Sequence, residues 1–198
     1  MPTHLVIGLG NPGATYQTTR HNTGFRIVDA FAHAFRLTFS MKKKFFSEVV
    51  DSPSATLMKP QTFMNESGKA AKAVASFYKI QPKNIIVIHD DLDIPFGQIK
   101  IQFGRGPAGH KGVASIIQAL QSNAFWRIRV GIAGKTKDEM PGDAYVISEF
   151  TKTENEELKK SIIPNAYIAL AEILHQGPEK AAQKFNTKKG GTKIRAAK

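Results

Sequence analysis

The stretch Asn84–Asp93, which reads NIIVIHDDLD, decides how the rest of the chain is interpreted. Residues 85–88 are all apolar and β-branched, which is typical of a strand buried on both faces of a sheet. The segment HDDLD that follows, residues 89–93, is then expected at the carboxyl end of that strand. In open α/β sheets the crevice beyond this edge is the usual place for a ligand. We therefore expect the chemistry of this protein beside residues 89–93.

Segments with strand and helix patterns alternate on both sides of this stretch. Apolar runs predict further strands over residues 6–8, 45–50, 55–58, 98–103 and 126–132, and a short one over 145–147. Helical spacing predicts helices over residues 22–35, 62–78, 113–120, 154–175 and 178–185. Asn22 is the expected cap of the first helix, and Phe63 and Phe77 are expected to point into the core. The alternation predicts an α/β fold: a single domain with a twisted, mixed and largely parallel sheet flanked by helices on both faces.

Composition indicates a folded protein with a polyanionic partner. The 28 Lys and Arg residues exceed the 16 Asp and Glu residues, which gives a net charge of +12. Such an excess favours phosphate-rich partners, although a well-solvated surface would also explain it. Residues 186–198 carry five cations and no acid, so a folded domain over residues 1–185 is expected to end in a mobile basic tail.

The chain shows no sign of a membrane or secretory protein. No stretch approaches the roughly 18 apolar residues that a membrane span requires, and the first ten residues do not read as a secretory signal. There is no cysteine, which removes disulfides and thiolate chemistry and agrees with a cytoplasmic location. We therefore expect a cytoplasmic protein without a membrane partner.

The segment Gly8–Gly13, GLGNPG, matches the dinucleotide-binding pattern G-x-G-x-x-G after a strand. In that fingerprint a helix begins inside the motif, and an acid follows about 20 residues later. Here residues 11–13 predict a turn, the helix begins only near residue 22, and residues 33–35 are His-Ala-Phe. The glycines are better explained by close backbone packing at the end of a strand. A nucleotide-dependent oxidoreductase is kept as an alternative.

A histidine and a carboxylate are the groups most suited to acid–base chemistry in this chain. His21 stands at the entrance of the first helix and Asp90 after the central strand, and a carboxylate can fix the tautomer of an imidazole that accepts a proton. Asn11 and Asn65 could hold a water or an oxyanion, because an amide both donates and accepts. Taken singly, each of these residues could equally be a cap or a buried polar group.

Other hydrolytic mechanisms lack their motifs. There is no G-x-S-x-G elbow and no H-E-x-x-H sequence. The acids of residues 90–93 could bind Mg²⁺ but do not have EF-hand spacing. Direct attack by water, without a metal or other cofactor, is therefore the expected route.

Four motifs taken together resemble the bacterial-type peptidyl-tRNA hydrolase family. They are GLGNPG with Tyr16 and TRHN (19–22), KPQTFMNESG (59–68), HDDLD (89–93) and GHKG (109–112), in the family's order and spacing over roughly residues 4–185. The resemblance implies an α/β catalytic domain that acts as a monomer, without a cofactor or an obligate protein partner. It also implies hydrolysis of the ester that joins a peptide to tRNA, which frees the tRNA for reuse in translation.

The same resemblance assigns roles to individual residues. His21 is expected to be the catalytic base, Asp90 its partner, and Asn11 the residue that holds the attacking water. The residues expected to bind the substrate are Tyr16, Met64, Asn65, His110 and Lys111. Of these, Lys111 departs from the family, which usually has asparagine there, and an ammonium group cannot accept a hydrogen bond as an amide does.

Binding of the tRNA is expected to rest on cations around the cleft. The candidates for phosphate contacts are Lys100, Arg105, Arg127 and Arg129, together with the basic tail. A noncatalytic RNA-binding protein on the same fold is the second alternative, and an assay of turnover distinguishes it from the enzyme.

Overall fold

The computed structural model describes residues 2–186. Within them, one sheet contains seven strands: β1 (His4–Gly8), β2 (Ser40–Lys42), β3 (Ser47–Asp51), β4 (Ala55–Pro60), β5 (Ile85–Pro95), β6 (Ile99–Phe103) and β7 (Trp126–Ala133). Their order across the sheet is β2-β3-β4-β1-β5-β7-β6. The four central strands are parallel, whereas β2, β3 and β6 are attached antiparallel at the two sides. The predicted mixed and largely parallel sheet is confirmed.

Helices cover both faces of this sheet. They are α1 (Thr23–Ala34), α2 (Ser67–Tyr78), α3 (Lys111–Leu120), α4 (Gly142–Ile147), α5 (Lys152–Glu157), α6 (Ile163–Gln176) and α7 (Pro178–Asn186). Successive residues of the central strands alternate between two apolar clusters, as the period of a β-strand requires. Ile86 and Ile88 of β5 pack with α1 and α6, while Ile85 and Val87 pack with α2 and α3. Both faces of the sheet are thus buried, which explains why the central strands are continuously apolar.

The short strand predicted over residues 145–147 is wrong, because these residues belong to α4. Tyr145 is fully buried there, and its hydroxyl donates to the carbonyl of Ile132 (2.9 Å) and accepts from the amide of Gly134 (3.1 Å). A short apolar run cannot be assigned to a strand or a helix by its pattern alone. In this case burial of one tyrosine against the end of β7 produced the run.

The predicted inward orientation of Phe63 and Phe77 is also wrong, since each is 57% exposed. Phe63 precedes a 3-10 turn, Met64–Glu66, which separates it from α2. Phe77 lies on the solvent side of α2, whose buried side is formed by small residues such as Ala70 and Val74. Two large aromatic side chains are therefore left on the surface.

Asn186, which was predicted to begin the basic tail, belongs to the last helix. Asn186 ends α7, and its side-chain amide donates to the carbonyl of Ile101 and accepts from the amide of Ile101, both at 2.8 Å. Because Ile101 lies on β6 at the side of the sheet, this pairing occupies backbone groups that an edge strand leaves open. Residues 187–198, the rest of the predicted tail, lie outside the described residues. Between residues 2 and 186, no helix is long and apolar enough to span a membrane.

Candidate active site

A cavity of about 740 Å³ lies at the carboxyl ends of β1 and β5. Seven of the residues predicted for the site line it: Asn11, His21, Met64, Asn65, Asp90, His110 and Lys111. Its walls also include the apolar side chains of Phe63, Leu92, Val146 and Ile147. The sheet edge chosen from residues 89–93 is therefore where the candidate residues meet.

Close packing between β1 and α1 brings His21 to this edge. A side chain at Gly8 would overlap the carbonyl of Gly24, and one at Gly24 would overlap the backbone of Leu9 and Ile88. The absence of a Cβ at both positions lets the first turn of α1 rest directly on β1 and β5. The close approach agrees with the interpretation that the glycine motif serves backbone packing. The same close approach places the turn Arg20–Asn22 beside β5.

His21 and Asp90 form a buried pair. The Nδ1 atom of His21 lies 3.0 Å from both carboxylate oxygens of Asp90, and the two residues are 6% and 1% exposed. Asp90 was expected after the central strand, but β5 continues to Pro95 and carries Asp90 within it. A carboxylate that accepts from Nδ1–H leaves the Nε2 atom of His21 unprotonated and free to accept a proton from the cavity side.

His110 makes a second contact with the same carboxylate. Its Nε2 atom lies 3.1 Å from Oδ1 of Asp90. Its Nδ1 atom accepts from the backbone amides of Gly112 (3.2 Å) and Val113 (3.3 Å), so the ring caps the N-terminus of α3. Since Nδ1 is occupied as an acceptor, the proton of neutral His110 must be on Nε2. His110 is thereby fixed as a donor to Asp90, so of these two imidazoles it is His21 whose second ring nitrogen is left to accept a proton.

The charge of Asp90 is maintained by these two imidazoles. Burial alone would raise the pKa of Asp90, but the N–H groups of His21 and His110 point at the carboxylate, and their hydrogen bonds and electrostatic attraction favour its ionised form. The net effect is a pKa below the ordinary value of an aspartate. Asp90 therefore remains an anion beneath His21 and can stabilise an imidazolium there.

The side chains of His21, Asp90 and His110 are also types that bind metal ions, and their ligand atoms lie within 4.8 Å of one another. A metal on Nε2 of His110 would move the ring proton to Nδ1. That proton would then face the N–H groups of Gly112 and Val113, which now donate to Nδ1. The donor set fits a hydrogen-bonded triad better than a metal centre.

Asn11 is held in place by Asn22. The Asn22 side chain accepts from the backbone amide of Asn11 and donates to its carbonyl, both at 2.9 Å. Asn22 stands at the N-cap position of α1, as predicted, but its side chain makes no capping bond to that helix. Asn11 Oδ1 in turn accepts from the amide of Met64 at 2.8 Å. The Nδ2 group of Asn11 is thus the part of its amide left for a ligand in the cavity.

The remaining predicted substrate residues differ in position. Asn65 and Lys111 are exposed at the cavity, and the Lys111 ammonium lies 3.7 Å from a carboxylate oxygen of Asp143 on α4. Tyr16 was expected to line the cleft but is not among the residues that form the cavity. It ends a separate 3-10 turn, and its carbonyl accepts from the hydroxyl of Thr19 at 2.8 Å. Tyr16 therefore supports the segment that leads to His21.

The four residues predicted to contact phosphates differ in their exposure to solvent. Arg127 is 1% exposed, and its guanidinium donates to the carbonyls of Gly104 (2.7 Å) and Gly106 (3.0 Å). Because these bonds are internal, the prediction that Arg127 contacts tRNA is wrong, and the residue instead holds the loop before His110. Arg129 is partly exposed and binds Asp91 at 2.7 Å.

Lys100, opposite Arg129 across β6 and β7, is exposed, as is Arg105. Lys100, Arg105 and Arg129 thus remain candidates for phosphate contacts.

Arg20 is a supporting residue that the sequence analysis did not identify. Its buried guanidinium donates to Glu154 at 2.8 Å and to the hydroxyl of Ser148 at 2.9 Å. It also lies over the rings of Tyr145 (4.2 Å) and Phe150 (4.9 Å). The turn that carries His21 is thereby tied to the segment that follows α4, and α4 itself contributes Val146 and Ile147 to the cavity wall. In the sequence the only sign of this role is that Arg20 directly precedes His21.

A sheet with a His–Asp pair at the carboxyl edge of its parallel strands, next to a cavity lined by an asparagine amide, is an arrangement typical of α/β enzymes. Comparison with known proteins identifies the family to which this chain belongs. The family model for peptidyl-tRNA hydrolase matches residues 5–193. The peptidyl-tRNA hydrolase of Dichelobacter nodosus is 41% identical over 181 residues, which cover 89% of this chain and 95% of the relative. That of Mycobacterium tuberculosis is 41% identical over 186 residues, covering 92% and 96%.

A solved structure agrees with these relatives. The crystal structure of peptidyl-tRNA hydrolase from Acinetobacter baumannii matches with a TM-score of 0.85 and 28% identity, and the match covers 96% of this chain and 98% of that one. This chain belongs to the peptidyl-tRNA hydrolase family. The resemblance inferred from the four sequence motifs is confirmed.

Proposed function

We propose that this chain hydrolyses the ester bond between peptide and tRNA in peptidyl-tRNA, with His21 as the general base. The observation that carries the mechanism is the contact of His21 Nδ1 with both oxygens of Asp90, which leaves Nε2 as the acceptor at the cavity. Membership of the family supports the choice of substrate.

Water is the nucleophile in this proposal. None of the described residues that line the cavity is a serine, threonine or cysteine, so no side chain there is suited to a covalent acyl intermediate. A water between His21 Nε2 and the Asn11 amide attacks the ester carbonyl carbon while its proton passes to Nε2. The acyl–oxygen bond to the ribose then breaks, and the imidazolium returns the proton to the ribose oxygen. Asp90 stabilises the imidazolium between these two steps.

The cavity has different walls for the two parts of the substrate. Leu92, Val146 and Ile147 form an apolar side suited to a peptide. Cations lie on the side of β6 and β7, where we retain Lys100, Arg105 and Arg129 as contacts for tRNA phosphates. Asn65, exposed beside the catalytic pair, is placed to donate to the substrate carbonyl.

We also propose that the protein acts as a monomer in the cytoplasm. The groups proposed for catalysis, Asn11, His21 and Asp90, already meet within a single copy of the chain, which supports a monomer. The cysteine-free composition is consistent with this location.

The test is the hydrolysis of peptidyl-tRNA by His21→Ala. Removal of a general base is expected to lower kcat by about 10²–10⁴-fold, while the affinity for uncharged tRNA stays unchanged. The matched control is His175→Ala, at an exposed histidine of α6, which should keep full activity. Turnover by His21→Ala at the wild-type rate would refute the assignment. A wild-type protein that binds tRNA but releases none from peptidyl-tRNA would favour the noncatalytic RNA-binding alternative.

A further inference from the structure

Five lysines and two phenylalanines form a basic-aromatic patch on the side of the molecule that carries β2 and α2. The patch consists of Lys42, Lys43, Lys44, Phe46, Lys69, Lys72 and Phe77. All seven side chains are exposed. None of them belongs to the catalytic cavity or to the cations considered above for phosphate contacts.

The charge of this patch is uncompensated. No acid occurs in residues 30–47 or 67–78, the two segments that contribute the patch. Across residues 2–186, no carboxylate lies within 4.0 Å of any of the five lysines, although other lysines such as Lys59 and Lys184 are paired. Five lysines without a carboxylate partner among residues 2–186 make this surface complementary to a polyanion.

The two aromatic rings have the environment of a nucleobase platform. Phe46 is 39% exposed, with the Lys69 ammonium 4.0 Å from its ring centre. Phe77 is 57% exposed, with the Lys44 ammonium 3.9 Å from its ring centre. Proteins that bind single-stranded nucleic acid combine exposed rings, on which bases stack, with cations that follow the backbone.

The backbone of Phe46 fixes the position of its ring in the patch. Its φ is +51°, in the left-handed region that bulky residues rarely adopt. The conformation is held because the Phe46 carbonyl accepts from the amide of Gln61 at 2.7 Å. This left-handed conformation ends the 3-10 turn Lys43–Phe45, where Phe46 is the C-cap and its amide donates to the carbonyl of Lys43.

The patch begins next to the mouth of the catalytic cavity. Gln61, which holds Phe46, is two residues from Phe63, a residue of the cavity wall. Lys69 is in the first turn of α2, directly after the turn that presents Asn65 to the cavity. A strand of RNA whose end is in the cavity can therefore continue across Phe46 and Lys69.

We infer that this patch binds the unpaired nucleotides next to the esterified end of the tRNA. A base stacks on Phe46, and phosphates are held by Lys44 and Lys69. The inference rests on the proposed function, since it names the part of the same substrate that lies outside the catalytic cavity. It adds a second binding surface on the opposite side of the sheet from Lys100 and Arg129.

The experiment compares three substrates: an N-blocked aminoacyl ester of adenosine, the same ester on a trinucleotide, and full peptidyl-tRNA. Phe46→Asn removes the ring but suits a positive φ, and it should raise KM about tenfold for the trinucleotide and the full substrate but not for the adenosine ester. Phe46→Tyr keeps a ring and should restore the wild-type KM. Unchanged KM values for Phe46→Asn, or an effect on full peptidyl-tRNA alone, would overturn the inference.

The lysines are tested by the salt dependence of trinucleotide and tRNA binding. Lys44→Gln combined with Lys69→Gln should reduce the slope of log affinity against log salt by about 1.4, at roughly 0.7 for each phosphate contact. The control pair, Lys159→Gln with Lys180→Gln, lies on exposed positions elsewhere and should leave the slope unchanged. Equal slopes for the two pairs would contradict the inference. Because this measurement does not depend on turnover, it decides on the patch even if the proposed function is wrong.

Discussion

Replacing Asp90 with asparagine keeps the size of the side chain but removes the charge beneath His21 and one of the two acceptor oxygens. In the structure the two groups are 3.0 Å apart and nearly inaccessible to solvent. Opposite charges at that distance attract by about 5.5 kcal/mol at an effective dielectric of about 20, which corresponds to about 10⁴ in rate. The asparagine amide also has one acceptor oxygen where Asp90 serves two imidazoles. One of the two histidines would then face the N–H₂ group of the asparagine, and its proton would have to move to the other ring nitrogen.

We therefore expect Asp90→Asn to lower kcat for peptidyl-tRNA by about 10³–10⁴-fold. KM should change little, because Asp90 lies beneath His21 and is 1% exposed. The assay is single-turnover release of tRNA at saturating enzyme, with a thermal melt to confirm folding. Asp91→Asn is the control, since Asp91 pairs with Arg129 and with neither histidine. A loss of less than tenfold in Asp90→Asn would refute the view that the carboxylate stabilises an imidazolium.

Three further substitutions test the supporting structure. Asn22→Ala leaves the backbone amide and carbonyl of Asn11 without partners. It should lower the free energy of unfolding by on the order of 1–3 kcal/mol for each group, and it should reduce kcat. An unchanged denaturant midpoint would contradict this expectation. Gly24→Ala forces α1 away from β1 and should lower both stability and kcat, and full activity would show that the close approach is unnecessary. Burial, and then the nearby His110, lower the pKa of His89 well below its ordinary value. Below about pH 6.5, His89 therefore binds a proton in the unfolded chain but not in the folded chain. The free energy of unfolding falls as the pH drops below that value. His89→Asn, which can keep a donor to the Asp90 carbonyl, should show a shallower fall in thermal melts from about pH 8 to about pH 5, and an identical fall would exclude His89 as its source.

The pair His21 and Asp90 could be predicted because its chemistry depends on residue type and on position at a sheet edge. Residues 85–88 identify the central parallel strand, and the groups that follow it are expected at the ligand site of such a sheet. The structure shows that β5 continues to Pro95 and still contains Asp90. The predicted edge of the sheet is therefore correct, but the strand was predicted to end too early.

Supporting residues could not be predicted in the same way, because their roles depend on partners distant in sequence. The guanidinium of Arg20 is bound by Glu154, 134 residues away, and Arg127 holds carbonyls more than 20 residues away. A cation in a sequence indicates charge but not whether its partners are phosphates or buried carbonyls. Asn22 illustrates the same limit, since its residue type suits a helix cap and its actual partner is the backbone of Asn11.

Errors in the predicted fold have local causes. Strand β2, Ser40–Lys42, is exposed along its whole length and carries no alternating pattern. It exists because Met41 and its neighbours pair with β3, which is a tertiary effect. Helical spacing with Ala70 and Val74 predicts an inward Phe77, whereas the buried side of α2 is formed by alanines and Val74 that leave little room for a large ring.

Chemical rescue of His21→Ala tests most directly whether an unprotonated imidazole takes the proton of the attacking water. Free imidazole can enter the cavity of about 740 Å³ that His21 lines. The rate of peptidyl-tRNA cleavage should then rise in proportion to the concentration of neutral imidazole, and more basic imidazoles should give faster rates at equal neutral concentration. A variant rate that does not respond to any imidazole, although the added base is shown to bind in the cavity, would contradict the account.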